Sequence, residues 1–112
     1  MLSLFIFFGE KGMKETGRGG FKEKLVKKLK SLYPGCIIIS MDPQEHPGIP
    51  DLLILYNNKW VALETKRSKT AAHRPNQDWY VAKMKDMSYA AFIFPENEEA
   101  VLNEIRQTFG NP

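Results

Sequence analysis

Cysteine is nearly absent. Cys36 is the single one in 112 residues, so no intrachain disulfide can form. It stands inside the apolar run Cys36-Ile37-Ile38-Ile39, which reads as a buried, inert thiol and suits a reducing interior. Histidine is scarce as well. His46 and His73 have no second His or Cys at ligand spacing and read as isolated loop residues. Long hydrophobic runs are missing. The strongest one, Leu2 to Phe8 (LSLFIFF), is too short to span a bilayer. It also lacks a basic leading region and a small-residue cleavage site, so no secretory signal and no membrane attachment is expected. No repeat or low-complexity segment is visible. A strong charge excess is absent too: the net charge is +3 and the pI about 9.0. Such a mild balance permits a polyanionic partner without demanding one, so the placement of the charges decides.

What is present is material for one compact domain. The chain is 43% hydrophobic and 26% charged, with seven Phe, four Tyr and two Trp. A domain this small has little surplus stability, so pairing with a second copy is expected. Residues 1–20 read as an N-terminal arm or loop and residues 21–112 as the single domain. Leu2 to Phe8 has two readings: an extra strand or arm packed on this subunit or a neighbour, or a poorly structured stretch ahead of a natural start at Met13. Five glycines among charged residues make Gly9 to Gly20 a loop.

Periodicity then changes repeatedly. Phe21, Leu25, Leu29 and Leu32 recur at helical spacing, with lysines between them, until Tyr33-Pro34-Gly35 ends the helix. Cys36 to Met41 is β-branched and apolar and reads as a buried strand. Asp42 to Pro50 is a proline-rich loop. Asp51 to Tyr56 (DLLILY) and Lys59 to Lys66 (KWVALETK) are strands joined by Asn57-Asn58, a two-residue hairpin signal. Arg67 to Arg74 is a basic loop. A helix is expected from Pro75 to about Met87, with Trp79, Val81, Met84 and Met87 available for burial. Ala90 to Phe94 is a fourth strand. A last helix opens at Pro95-Glu96, buries Val101, Leu102, Ile105 and Phe109, and ends at Gly110. The order α-β-β-β-α-β-α implies an α/β fold with a mixed four-stranded sheet flanked by helices. Its first three strands form an antiparallel meander, and the fourth runs parallel to the third after a helical crossover.

The hairpin places three chemical groups together. A two-residue turn pairs Tyr56 with Lys59 and, counting outward, Asp51 with Glu64. Alternation puts Glu64 and Lys66 on one face, and cross-strand pairing puts Asp51 there too. Directly paired residues have Cβ atoms about 4.5–5.5 Å apart, a distance at which two carboxylates repel. A divalent cation between them reverses that sign, and oxygen ligands suit Mg²⁺, Mn²⁺ or Ca²⁺ rather than Zn²⁺. Lys66 is placed to hold or deprotonate a water, or to neutralise a phosphate. The plain alternative is the charged end of an ordinary hairpin. The loop leaving Lys66 carries Arg67, Lys69 and Arg74, which are candidate, sequence-independent phosphate contacts. The lysine-rich first helix reads equally as a solvated face or as a grip on a nucleic-acid backbone. Trp79 and Tyr80 read as core or interface rather than as base-stacking platforms.

Gly48-Ile49-Pro50-Asp51 followed by Glu64-Thr65-Lys66 resembles the PD-(D/E)XK nuclease signature. The GIPDLLIL and ALETK segments, with Gln77 inside the next helix, look like the VRR-NUC family of that superfamily, in its stand-alone phage and bacterial form. The resemblance covers about residues 21 to 94. It implies a restriction-endonuclease-like core in which Asp51 and Glu64 ligate Mg²⁺ or Mn²⁺, the Thr65 carbonyl is a third ligand, and Lys66 orients or activates water. Gln77 would support the site or contact phosphate. Glu23 is the best match for a glutamate that such families add from the first helix, and it reads equally as a solvated residue among lysines. Where family members usually have glycine, this chain has Ser88-Tyr89, a difference expected to affect a turn.

The resulting expectation is a metal-dependent DNA endonuclease acting as a homodimer, without an organic cofactor, in the cytoplasm of a bacterial or phage-infected cell. Branched, Holliday-junction-like DNA is the favoured substrate by family likeness. The alternative is a non-catalytic DNA-binding or dimerisation module on the same fold.

Overall fold

The computed structural model describes residues 20–110. The apolar segment near the N-terminus, and with it the expected extra strand or arm, lies outside the described residues. Helix α1 (Phe21–Leu32) starts after Gly20 at φ 81°, and its last turn is closed by the Tyr33 amide on the Leu29 carbonyl at 2.9 Å. It buries Leu25, Val26 and Leu29, whereas Leu32 is 43% exposed. The buried stripe is thus rotated away from the expected Phe21-Leu25-Leu29-Leu32 line. Side chains at 22, 25, 26, 29 and 33 share a helix face, and that turn of the stripe carries Lys22 inward.

The sheet comprises β1 (Ile37–Ser40), β2 (Leu52–Tyr56), β3 (Lys59–Thr65) and β4 (Ala90–Ile93), in that spatial order. β1, β2 and β3 are antiparallel neighbours, and β4 runs parallel to β3. The β2–β3 ladder pairs Tyr56 with Lys59 and Leu52 with Leu63, so the hairpin has the register its two-residue turn dictates. Asn57 takes φ 56° in that turn, which its side chain tolerates. Asp51 falls one step beyond the ladder: its carboxylate, and not a backbone carbonyl, accepts the Thr65 amide at 2.9 Å.

Helix α2 (Gln77–Met87) is the crossover between β3 and β4, and α3 (Glu98–Phe109) follows a 3-10 turn at Pro95–Asn97. The alternation of the strands makes two apolar layers. One face carries Leu52, Ile54, Val61, Leu63 and Ile93 against Leu25, Leu29, Val101 and Ile105 of α1 and α3. The other carries Ala62 and Ala90 against Val81 and Met84 of α2. Tyr33, Tyr56 and Phe109 meet edge to face at 5.0–5.4 Å between ring centres and close one end of the larger layer.

Helix α2 departs from expectation at its start and ends at Met87 as expected. It begins at Gln77 because Asn76 is left-handed at φ 74°, which leaves Pro75 in the preceding turn. Residues 77, 81, 84 and 88 form its inward line, so Trp79 and Met87 stay 59% and 64% exposed. Ser88 ends the helix, its amide on the Met84 carbonyl at 3.0 Å and its hydroxyl on the Trp60 carbonyl at 2.5 Å. Ser88 thus builds the turn into β4 with a side-chain hydrogen bond to the sheet. Among the described residues, no helix is long and apolar enough to cross a membrane.

Candidate active site

β3 ends in Glu64-Thr65, and the chain then leaves the sheet through Lys66. Glu64 and Lys66 point to the α2 side, like Ala62, while Thr65 points to the other. Glu64 is only 8% exposed. Its Oε2 accepts a hydrogen bond from Gln77 Nε2 at 3.0 Å, and its carboxylate also receives the Asp51 backbone amide. Lys66 Nζ lies 3.7 Å from the same Oε2. Burial raises the Glu64 pKa from 4.5 to about 7, and the Asp51 charge adds to the rise; Lys66, the Asp51 amide and Lys22 oppose it. The acid is therefore short of positive charge near neutrality, despite its lysine neighbour.

Gln77 organises this corner. Its Oε1 accepts from Lys66 Nζ and from the Arg74 amide, both at 2.8 Å. Two donors fix which end of the amide is the carbonyl, and the NH₂ group is thereby aimed at Glu64. Lys66 also donates to the Ala72 carbonyl at 3.0 Å. A side chain expected to support the site or contact phosphate thus holds both Glu64 and Lys66, and it is itself 6% exposed.

Asp51 meets the site from β2. Its Oδ1 accepts the Thr65 amide at 2.9 Å and its Oδ2 the Thr65 hydroxyl at 2.7 Å. Thr65, expected to act through its carbonyl, contacts Asp51 through its amide and its side chain. Lys22 Nζ lies 3.3 Å from Asp51 Oδ2. The preceding loop is pinned to α2 by Gly48. At φ 94°, it lies so close to the helix start that a Cβ there would stand 2.6 Å from Asn76 Cβ and 2.8 Å from the Pro75 carbonyl oxygen. That close approach brings the Gly48-Ile49-Pro50-Asp51 segment against the turn that presents Gln77.

These groups line one open cleft of about 820 Å³, together with Arg67 and Arg74. Of the three basic residues expected to contact phosphate, Lys69 is exposed and does not line the cleft. Glu23 does not line it either: one of its carboxylate oxygens is buried without a hydrogen-bond partner among the described residues. Lys22, one position earlier, takes the place at the cleft that was expected of Glu23. His73 stacks on Phe92 at 4.1 Å, with Nδ1 2.8 Å from Asp78 Oδ1, and stands apart from the cleft lining.

No group of three or more His, Cys, Asp or Glu gathers among the described residues. Two carboxylates on a cleft wall are nevertheless the donor set that suits Mg²⁺, which keeps several waters and takes only one or two protein carboxylates. Burial is the main cause of the raised Glu64 pKa, and the Asp51 repulsion that adds to it is the part a cation between the acids would relieve. No protein-family model matches the chain, and neither do any of the curated proteins or solved structures compared with it.

Proposed function

We propose that this protein is a divalent-metal-dependent nuclease of the PD-(D/E)XK type, with the VRR-NUC arrangement of residues, that hydrolyses DNA phosphodiester bonds. One observation carries the reading. Two acids that repel each other, Asp51 and the buried Glu64, share a cleft with a lysine that Gln77 holds 3.7 Å from Glu64. Mg²⁺ or Mn²⁺ bound to Asp51 and Glu64 would supply Lewis-acid chemistry there.

The chain's own residues do the rest. Lys66 orients an attacking water and stabilises the hydroxide that forms as the water's proton passes to solvent. The water oxygen forms the new P–O bond, the bond to the leaving sugar oxygen breaks, and that oxygen leaves with a proton from solvent. Gln77 fixes the distance between acid and base through its two-ended amide. Arg67 and Arg74 on the cleft wall hold the flanking phosphates through sequence-independent contacts. The restriction-endonuclease-like identity of the fold belongs to the same proposal, supported by the sheet order and the register of the hairpin. So do a homodimer acting on branched DNA and residence in the cytoplasm of a bacterial or phage-infected cell.

The test is a panel of supercoiled, linear, single-stranded, flapped and four-way-junction DNA. It is run with Mg²⁺ or Mn²⁺, with EDTA, and with Glu64→Ala protein. Metal-dependent cutting that vanishes in the variant is the expected result, and the best substrate names the shape preference. No cutting of any substrate, with equal junction binding by both proteins, supports the binding-module alternative instead. Light scattering that shows only a 12.9 kDa species at high concentration overturns the dimer.

A further inference from the structure

Lys22 has no task in that mechanism, yet its position is costly to maintain. It sits in the first turn of α1, where the helix macrodipole disfavours a cation. It lies on the buried face of the helix with Leu25, Val26 and Leu29, and it lines the cleft. Its ammonium stands 3.3 Å from Asp51 Oδ2, with the two side chains 27% and 24% exposed. This is a half-buried pair inside a site, unlike a solvated surface contact.

Asp51 is crowded. One oxygen holds the Thr65 amide; the other holds the Thr65 hydroxyl and faces the Lys22 ammonium. A divalent ion that coordinates Asp51 must approach where that ammonium sits, and two positive charges at one oxygen repel. The Thr65 amide is fixed by the backbone and cannot leave. Lys22 has four methylenes of slack between its helix and its charge and can. The ammonium therefore swings away but stays in the cleft, because α1 is packed on the core through Leu25 and Leu29. The arriving negative charge for it to meet there is the substrate phosphate.

We propose that Lys22 is an exchangeable phosphate ligand: it occupies Asp51 in the metal-free protein, yields that carboxylate to the divalent ion, and then binds a phosphate of the DNA. The proposal rests on the nuclease reading for the ion and the substrate. It predicts that ion and ammonium compete for Asp51, so that metal affinity and DNA affinity respond to Lys22 in opposite directions.

The experiment uses the full chain and three variants: Lys22→Met, Lys22→Arg and Asp51→Asn. Mn²⁺ affinity is measured by titration calorimetry, and binding of a short DNA duplex is measured with Ca²⁺ in place of Mn²⁺ across a salt series. Lys22→Met should bind Mn²⁺ roughly threefold tighter or more, because a competing charge has gone. Its DNA affinity should fall about tenfold, with a salt slope shallower by about one, because a phosphate contact has gone. Lys22→Arg should keep the wild-type DNA affinity and salt slope, which shows that charge and not stem packing matters. Unchanged or weaker Mn²⁺ binding in Lys22→Met overturns the exchange, and so does unchanged DNA affinity. Asp51→Asn separates this from the parent reading. If wild-type protein binds no Mn²⁺, or binds it as well with Asn at 51, the metal site itself is wrong and the exchange falls with it. If Asp51→Asn loses Mn²⁺ while Lys22→Met binds it like wild type, only the exchange is wrong.

Discussion

Gln77 Nε2 lies 3.0 Å from Glu64 Oε2 while the Oε1 of the same side chain lies 2.8 Å from Lys66 Nζ, so one neutral amide spaces an acid from a base. All three side chains are nearly out of solvent, which makes the spacing rigid. Gln77→Ala would leave a buried carboxylate and a buried ammonium each short of a partner. The expected loss is about 1–3 kcal/mol of stability, read by urea unfolding. A fall of about 10- to 100-fold in metal affinity or activity should accompany it. Variant protein with wild-type metal affinity would show that the amide only fills space.

Glu64 gives the site a pH signature. Its proton is bound more tightly in the folded chain, at about 7, than at its ordinary 4.5. The native state thus holds the extra proton between those values, and metal-free stability falls as pH rises through that window. The loss amounts to about 3 kcal/mol by pH 8 if Glu64 acts alone. Glu64→Gln should flatten this dependence. Mg²⁺ competes with the proton, so the rise in melting temperature on adding Mg²⁺ should be larger at pH 8 than at pH 5.5. Equal rises at both pH values would count against Glu64 as a ligand.

The backbone around Gly48 is a third point of test. Gly48→Ala sets a Cβ 2.6 Å from Asn76 Cβ and also forces an L-residue to φ 94°. Gly35→Ala has the same conformational penalty at φ 91°, with nothing within 4 Å of the new atom. Gly35→Ala should cost about 1–2 kcal/mol. Gly48→Ala should cost clearly more and should weaken Mn²⁺ binding as well, because the loop before Asp51 must part from α2. Equal losses in unfolding experiments, with metal binding intact in both, would dismiss the clamp.

Thr65→Val removes the hydroxyl that holds Asp51 Oδ2 and keeps the amide that holds Oδ1. The expected loss is about 1 kcal/mol of stability, with Mn²⁺ binding weakened but not abolished. Abolished binding would mean that Thr65 acts through its side chain.

The hairpin was readable because its register follows from one local signal. Asn57-Asn58 fixes Tyr56 opposite Lys59, and every pair outward from it follows by counting to the last, Leu52 with Leu63. Strand alternation then put Glu64 and Lys66 on one face without any long-range information. The first helix was harder. Lys22 and Glu23 differ by about 100° of rotation, and the choice between them depends on which apolar stripe is buried. Weighting Leu32 favours one rotation, and weighting Val26 favours the observed one, in which 22, 25, 26 and 29 align. Val26 lay in the sequence as the signal for Lys22, but only the packing of α1 on the sheet makes Leu32 the residue left outside. The exposure of Trp79 was hidden for a similar reason: a buried glutamine, Gln77, sets the inward line of α2, and no hydropathy pattern favours a glutamine there.

The two acids are joined through a hairpin whose contacting residues, Asp51 and Thr65, are 14 positions apart, and Gln77 stands 13 positions from Glu64, whereas Lys22 reaches Asp51 across the longer stretch of chain that carries β1. Short loops close before long ones. During folding, the hairpin therefore collects its two acids early, and Lys22 docks late. In the nuclease reading, a divalent ion present in solution meets the carboxylate pair before Lys22 does. Refolding in Mg²⁺ should accordingly proceed faster than refolding in EDTA, with the ion acting as a template on which α1 closes.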